Sequence, residues 1–141
     1  MSQRFPTSER LKSRREIGRL FSPGTGSVAA YPVRLLYRWA ESPRGDQACQ
    51  ITFVVPKRKF KRAVDRNLLK RRMREAYRLN RELLLPQGPG GQVPEVSAGA
   101  RPPQLILLLM YTGKEALPYA VIERKVKKVL TQLGERLAAG G

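Results

Sequence analysis

The chain has 141 residues, 41% of them hydrophobic and 7% aromatic, enough for one modest core and a single domain over 1–141. It carries 28 Lys and Arg against 11 Asp and Glu, a formal net charge of +17, a self-repulsion that a polyanionic partner would relieve. With no histidine, one cysteine (Cys49) and aspartate only at Asp46 and Asp65, the composition excludes histidine triads, an internal disulfide, a Cys-rich zinc site and the clustered carboxylates of a self-sufficient two-metal hydrolase.

The basic balance makes nucleic acid the first candidate partner and an anionic membrane surface the second. The N-terminus is polar and basic rather than apolar, so it does not read as a signal peptide. The longest apolar run, Leu105 to Tyr111, is far short of a membrane span. A lone cysteine suits a reducing compartment. These features predict a cytoplasmic protein with no membrane partner.

Residues 1–8 read as a mobile tip. Ser13 is placed to cap a helix, with Glu16 completing a capping box, and Ile17, Leu20 and Phe21 follow at helical spacing, which predicts a short helix over 13–21. Pro23, Gly24 and Gly26 end it. From Val28 to Trp39 the period is two. Val33, Leu35, Tyr37 and Trp39 share one face, and Arg34, Leu36 and Arg38 share the other. A further strand is expected within or beside this region. Glu41 to Gln47 reads as a turn, and Cys49 to Val55 alternates again until Pro56 closes it. The two extended segments are predicted to form an antiparallel hairpin.

Lys57 to Arg62 is a basic loop, and a helical pattern runs from about Ala63 to Leu85. At 100° per residue, Leu69, Met73, Ala76 and Leu83 fall on one side, while Arg66, Asn67, Lys70, Arg71, Arg74, Arg78 and Arg81 share an arc of about 140°. Arg72 breaks the pattern and is expected at the edge of the apolar half. Residues 86–104, rich in Pro and Gly, read as a flexible insertion loop. Leu105 to Tyr111 reads as a strand buried on both faces. Pro118 to about Leu137 has the apolar spacing of a final amphipathic helix. The order is α-β-β-(β)-α-β-α, an α+β fold with a small, mostly antiparallel sheet packed with helices.

The strongest signal is Pro56 to Arg81, with twelve Lys or Arg and two acids, Asp65 and Glu75. An ordinary solvated helix interleaves acids for i,i+4 support, and this one does not. The basic loop before it extends the charge into a patch that suits phosphates. Arginine's planar fork fits paired phosphate oxygens. Tyr37, Phe53 and Phe21 could stack on unpaired bases if they lay on an open sheet face. Periodicity alone favours a core position for them, because alternation does not say which face is covered.

The stretch AVDRNLLKRRMREAYR, Ala63 to Arg78, resembles the signature of the bacterial ribonuclease P protein component. Ala63, Val64, Arg66, Asn67, Lys70, Arg71, Arg74, Glu75, Tyr77 and Arg78 match it. RLKSRREIGRLF, Arg10 to Phe21, is similar to the opening of that family, and FVVPKRK, Phe53 to Lys59, to its strand and Lys-rich turn. Leu68 stands where the family has the second arginine of an Arg-Asn-Arg triplet, Ile17 replaces an aromatic residue, and the 86–104 insertion is long.

The resemblance implies an α/β sandwich like the second domain of ribosomal protein S5, with a left-handed β-α-β crossover. It implies the protein subunit of an endoribonuclease that removes the 5′ leader of precursor tRNA. Two partners follow, the ribonuclease P RNA subunit and precursor tRNA, and no protein partner is inferred. The RNA subunit would perform the hydrolysis and hold most of the Mg²⁺, with no organic cofactor, no protein metal site and no catalytic residue in this chain. Arg66, Asn67, Lys70, Arg71, Arg74 and Arg78 would face the RNA subunit. Phe21, Tyr37, Lys57, Arg58 and Lys59 would line or flank a cleft for the leader. A ribosomal protein or general RNA chaperone is the alternative, sharing charge, size and fold without promoting cleavage.

Overall fold

The structure is a computed structural model and describes residues 10–41, 49–83 and 104–138. The expected tip at 1–8, the turn through 42–47, a helix end at 84–85 and the insertion at 86–103 lie outside these residues.

The first helix, α1 (Arg14–Arg19), begins where the capping signal puts it, with Glu16 N donating to Ser13 Oγ at 3.2 Å. The Glu16 carboxylate is buried, pairs with Arg19 and accepts from Glu41 N at 2.9 Å, which ties α1 to the end of a strand. Two strands occupy the first extended region, β1 (Gly26–Ala30) and β2 (Val33–Trp39), and they pair antiparallel. The ring of Tyr37 lies across Gly26, where a Cβ would come within 2.3 Å of it, so only glycine fits.

The expected hairpin between β2 and β3 (Cys49–Val54) does not form. The sheet order is β1-β2-β4-β3, with β4 (Leu105–Tyr111) between them. β4 pairs antiparallel with β2 and parallel with β3. The physical reason is in the sequence of β4, LILLLMY: a strand apolar on both faces must sit in the centre of a sheet covered on both sides. β2 and β3 carry polar residues on one face and flank it.

Helix α2 (Ala63–Asn80) and helix α3 (Tyr119–Ala138) cover one sheet face. Leu69, Met73, Ala76 and Tyr77 of α2 and Ile122, Val126, Val129, Leu130 and Leu133 of α3 pack on Val28, Leu35, Ile51, Leu107 and Leu109. α2 ends earlier than the periodicity predicts. A 3-10 turn (Arg81–Leu83) follows, and it leaves Leu83 exposed. Arg72 sits at the edge of the apolar half, as expected, and donates to the Leu117 carbonyl at 2.7 Å. A smaller cluster forms on the other sheet face, where Leu11 and Leu20 cover Ile106 and Leu108. No helix among the described residues is long and apolar enough to cross a membrane.

Where α2 meets α3, Glu123 accepts from Asn80 Nδ2 at 3.3 Å and from the Tyr119 hydroxyl at 3.4 Å. Burial, helped by the Glu123 charge, pushes the Tyr119 phenol up to about 12. A raised phenol favours the neutral form in the folded chain. Its stabilising effect is complete below the ordinary tyrosine range near pH 10 and is lost as pH rises toward 12. Tyr119→Phe should therefore flatten the fall in thermal stability over that window and remove a phenolate that forms near pH 12 from an absorbance titration. Loss of absorbance change near pH 10 instead would mean that Tyr119 ionises like an exposed tyrosine.

Candidate nucleic-acid interface

Because β3 and β4 are parallel, the segments leaving their C-terminal ends share one end of the sheet. The basic loop after β3 is fixed there. Lys59 Nζ donates to the Thr112 carbonyl at 2.8 Å, and Phe60 is buried edge-on against Tyr111 at 5.7 Å between ring centres. Lys57 and Arg58 remain exposed on the held loop. Arg66, one turn into α2, folds back so that Nη1 donates to the Phe60 and Lys61 carbonyls, both at 2.8 Å. At 100° per residue Arg66 lies only about 20° from Met73, so it belongs to the loop side of the helix rather than its outer face. Its guanidinium thus stiffens the basic loop.

The cations further along α2 gather on the side next to β3. Arg71 and Asn67 are exposed, and Lys70 is half-buried. Arg74 stacks over the Phe53 ring at 5.8 Å, and Phe53 meets Tyr77 edge-on at 6.1 Å. The Nε atom of Arg74 is buried and has no hydrogen-bond partner among the described residues. Burial lowers the pKa of this guanidinium, and the neighbouring charges of Arg10 and Arg71 lower it further. Arg10 reaches this place because it bridges to Ile51 on the outer edge of β3. The protein therefore holds three like charges close together, an arrangement that an anion would stabilise. Arg78, by contrast, is paired with Glu75, which raises its pKa.

The aromatic residues are not brought together. Tyr37 lies on the face covered by helices, and its hydroxyl accepts from Arg136 Nη1 at 3.0 Å. Phe53 lies on that same face beneath Arg74. Phe21 is 57% exposed just past α1, which packs on the opposite face. A single cleft lined by Phe21 and Tyr37 is thus not what the structure presents. Both aromatic strand positions follow the rule that large rings fill cores when one face is covered.

The less covered surface is the α1 face. Strand register sets out its rows. Ala29, Arg34, Met110 and Val54 form one, and Ser27, Leu36, Leu108 and Thr52 the next. α1 and Leu11 cover only part of them. Ala29 and Arg34 are exposed, and Leu36, Thr52, Val54 and Met110 are half-buried. The first row ends at the strand that leads into Lys57 and Arg58. Arg38 lies on the same face but is bound to the Arg19 carbonyl at 3.0 Å. The alternation of β2 had already set Arg34, Leu36 and Arg38 apart. What it lacked was the knowledge that their face is the open one. Arg10 is the other residue missed, since only the fold brings it to Arg74.

The Ribonuclease P family model matches residues 5–134. The ribonuclease P protein component of Porphyromonas gingivalis is 47% identical over 77 residues, 55% of this chain and 55% of the relative, so that match spans about half the relative's length. The protein of the same description from Chlorobaculum tepidum is 32% identical over 119 residues, 81% of this chain and 71% of the relative. The solved RNase P protein from Thermotoga maritima superposes with a TM-score of 0.61 at 21% identity, covering 88% of this chain and 96% of that one. That from Staphylococcus aureus superposes with a TM-score of 0.62 at 17% identity, over 88% and 94%. These two establish the likeness of fold, and the family match over 5–134 establishes kinship: the chain belongs to the Ribonuclease P family.

Proposed function

We propose that the chain is the protein subunit of a cytoplasmic ribonuclease P, assisting removal of the 5′ leader of precursor tRNA by an RNA subunit that carries the chemistry. The observation that carries this reading is the cationic cluster that Arg71 and Arg74 of the family's signature helix make with Arg10, held without a neutralising acid in contact with Arg74. Phosphates of the RNA subunit are its natural complement. Asn67 and Lys70 extend this surface along α2, and Arg66 keeps the basic loop in place beside it. Arg78, paired with Glu75, contributes from the end of the row.

The leader, a single strand, is assigned to the open sheet face. Arg34 would take a phosphate there, Met110, Val54 and Leu36 offer an apolar floor to bases, and Lys57 and Arg58 flank the path beside the anchored Lys59. Phe21 stands at the far border, past α1. Tyr37 acts from behind the sheet, supporting Gly26 and Arg136 rather than touching RNA. Magnesium prefers several oxygen ligands in octahedral geometry. Among the described residues no three carboxylates, cysteines or histidines come together. We assign the metal mainly to the RNA subunit, whose phosphate oxygens suit it.

The test is reconstitution with a ribonuclease P RNA at limiting Mg²⁺, scoring cleavage of precursor tRNA. Acceleration is expected. Binding of RNA without acceleration would favour a ribosomal protein or RNA chaperone. Arg34→Ala should weaken binding of leader-bearing precursor by about tenfold, one charge-assisted contact, while leaving affinity for mature tRNA unchanged. Equal loss for both substrates would remove the leader from the α1 face.

A further inference from the structure

Helix α3 carries a second cationic surface, apart from the α2 cluster and the open sheet face. Arg124, Lys127 and Lys128 are exposed, and Lys125 is half-buried. None of the four has a hydrogen bond or ion pair among the described residues. The acids of α3 do not neutralise them. Glu123 is turned toward α2 and is engaged by Asn80 and Tyr119. Glu135 lies about two turns further on. Arg136 is likewise removed from the patch, donating to the Ser27 carbonyl and the Tyr37 hydroxyl, both at 3.0 Å.

At 100° per residue the four cations spread over an arc of about 160° on the side of α3 away from the core. Arg124, Lys127 and Lys128 are spaced i, i+3, i+4, so their Cβ atoms lie roughly 5–6 Å apart. The helix that carries them is 20 residues long and anchored by Ile122, Val126, Val129, Leu130 and Leu133, all buried. It presents a band of positive charge on a helix fixed by the core.

We infer that this outer face of α3 docks onto the phosphate backbone of double-helical RNA. The neighbouring exposed residues, Ala120, Thr131 and Glu135, include no aromatic ring, so the face offers no stacking platform for unpaired bases. None of the exposed large hydrophobic residues of the described chain lies on α3, so nothing there would enter a bilayer. Three lysines to one arginine suit point contacts with phosphates rather than forked readout of base edges. Duplex RNA is recognised in this way, by shape and backbone. The inference extends the proposed function, because it gives the protein a surface for a further helical arm while α2 and the sheet face are occupied.

The test uses the full chain, a 20-base-pair RNA duplex of arbitrary sequence and a single strand of the same length. The variant Arg124→Gln/Lys127→Gln/Lys128→Gln is compared with a charge-matched control, Lys12→Gln/Arg14→Gln/Lys114→Gln, also changed only at exposed positions. The α3 variant should lose about tenfold or more in duplex affinity. Its slope of log affinity against log salt should shrink by about 2.7, the release expected for three lost phosphate contacts on a double helix. The control should keep the wild-type slope, and single-strand binding should change little in either. The inference is overturned if the α3 variant binds duplex like wild type, if the control loses as much, or if single-strand binding falls equally. It is also overturned if the variant loses only capture by phosphatidylserine vesicles. Cleavage assays are separate, so a failure here leaves the leader-removal reading standing.

Discussion

Replacing Arg71 with alanine and Arg74 with methionine is expected to weaken binding of a ribonuclease P RNA by about a hundredfold or more at moderate salt, two charge-assisted contacts of about 1.5–3 kcal/mol each. The choice of methionine matters. The Arg74 guanidinium lies over the Phe53 ring, and a long apolar side chain keeps much of that cover while removing the charge. Free protein and complex should respond in opposite directions. In the free protein Arg74 is partly desolvated beside Arg10 and Arg71, which lowers its pKa, so removing charge relieves repulsion. Thermal stability without RNA should hold or rise. In the complex the same change deletes contacts, and the salt slope should shrink by about 1.5. Titrations at several salt concentrations, with a melting curve of each free protein, check both halves. A wild-type slope would show that the β3 side of α2 is not the docking surface. Lys57→Ala should cost less, because that side chain is exposed and its contact begins fully hydrated.

The same cluster shows what the sequence could and could not tell. The helix itself was legible, because Leu69, Met73 and Ala76 recur at helical spacing and the cations fill the remaining arc. Its internal division was not. Arg66 and Arg71 look equivalent in a charge count, yet one clasps two carbonyls of the preceding loop and the other faces solvent. That difference depends on where the loop goes, which is tertiary information. Arg10 shows the same limit, since its place beside Arg74 follows from a bridge to Ile51. Strand order was partly legible. β4 declares itself central by being apolar on both faces, but reading neighbours in the chain as neighbours in space put β3 beside β2. The covered face of the sheet could not be read from alternation, which sorts residues into two sets without naming the inner one. Alternation alone therefore leaves Tyr37 and Phe53 open to an RNA face and does not single out Arg34.

Leu107→Ala and Leu108→Ala should separate the two sides of the sheet. Both leucines are 0% exposed and adjacent on the central strand, so transfer energy alone predicts equal costs. Their surroundings differ. Leu107 belongs to the cluster under α2 and α3, held by two long helices that cannot collapse into a vacancy. Leu108 belongs to the small cluster under α1, a helix of 6 residues whose neighbours Ile17, Leu36 and Val54 are already half-buried. A cavity costs more where the walls cannot relax. Leu107→Ala should cost about 4 kcal/mol, a large part of the stability of an ordinary domain, and Leu108→Ala about 2 kcal/mol. Urea unfolding would rank them, and the reverse order would mean that α1 is held as rigidly as α3. The smaller loss should fall in a particular place. Leu108→Ala should speed amide exchange in α1, where Ile17 N donates to Ser13 O, while leaving α3 protected. Since α1 borders the open sheet face, the variant should also reduce the preference for leader-bearing precursor over mature tRNA without changing the salt slope for the RNA subunit. Leu107→Ala, where it remains folded, should leave that preference intact, because the helices it supports lie behind the sheet.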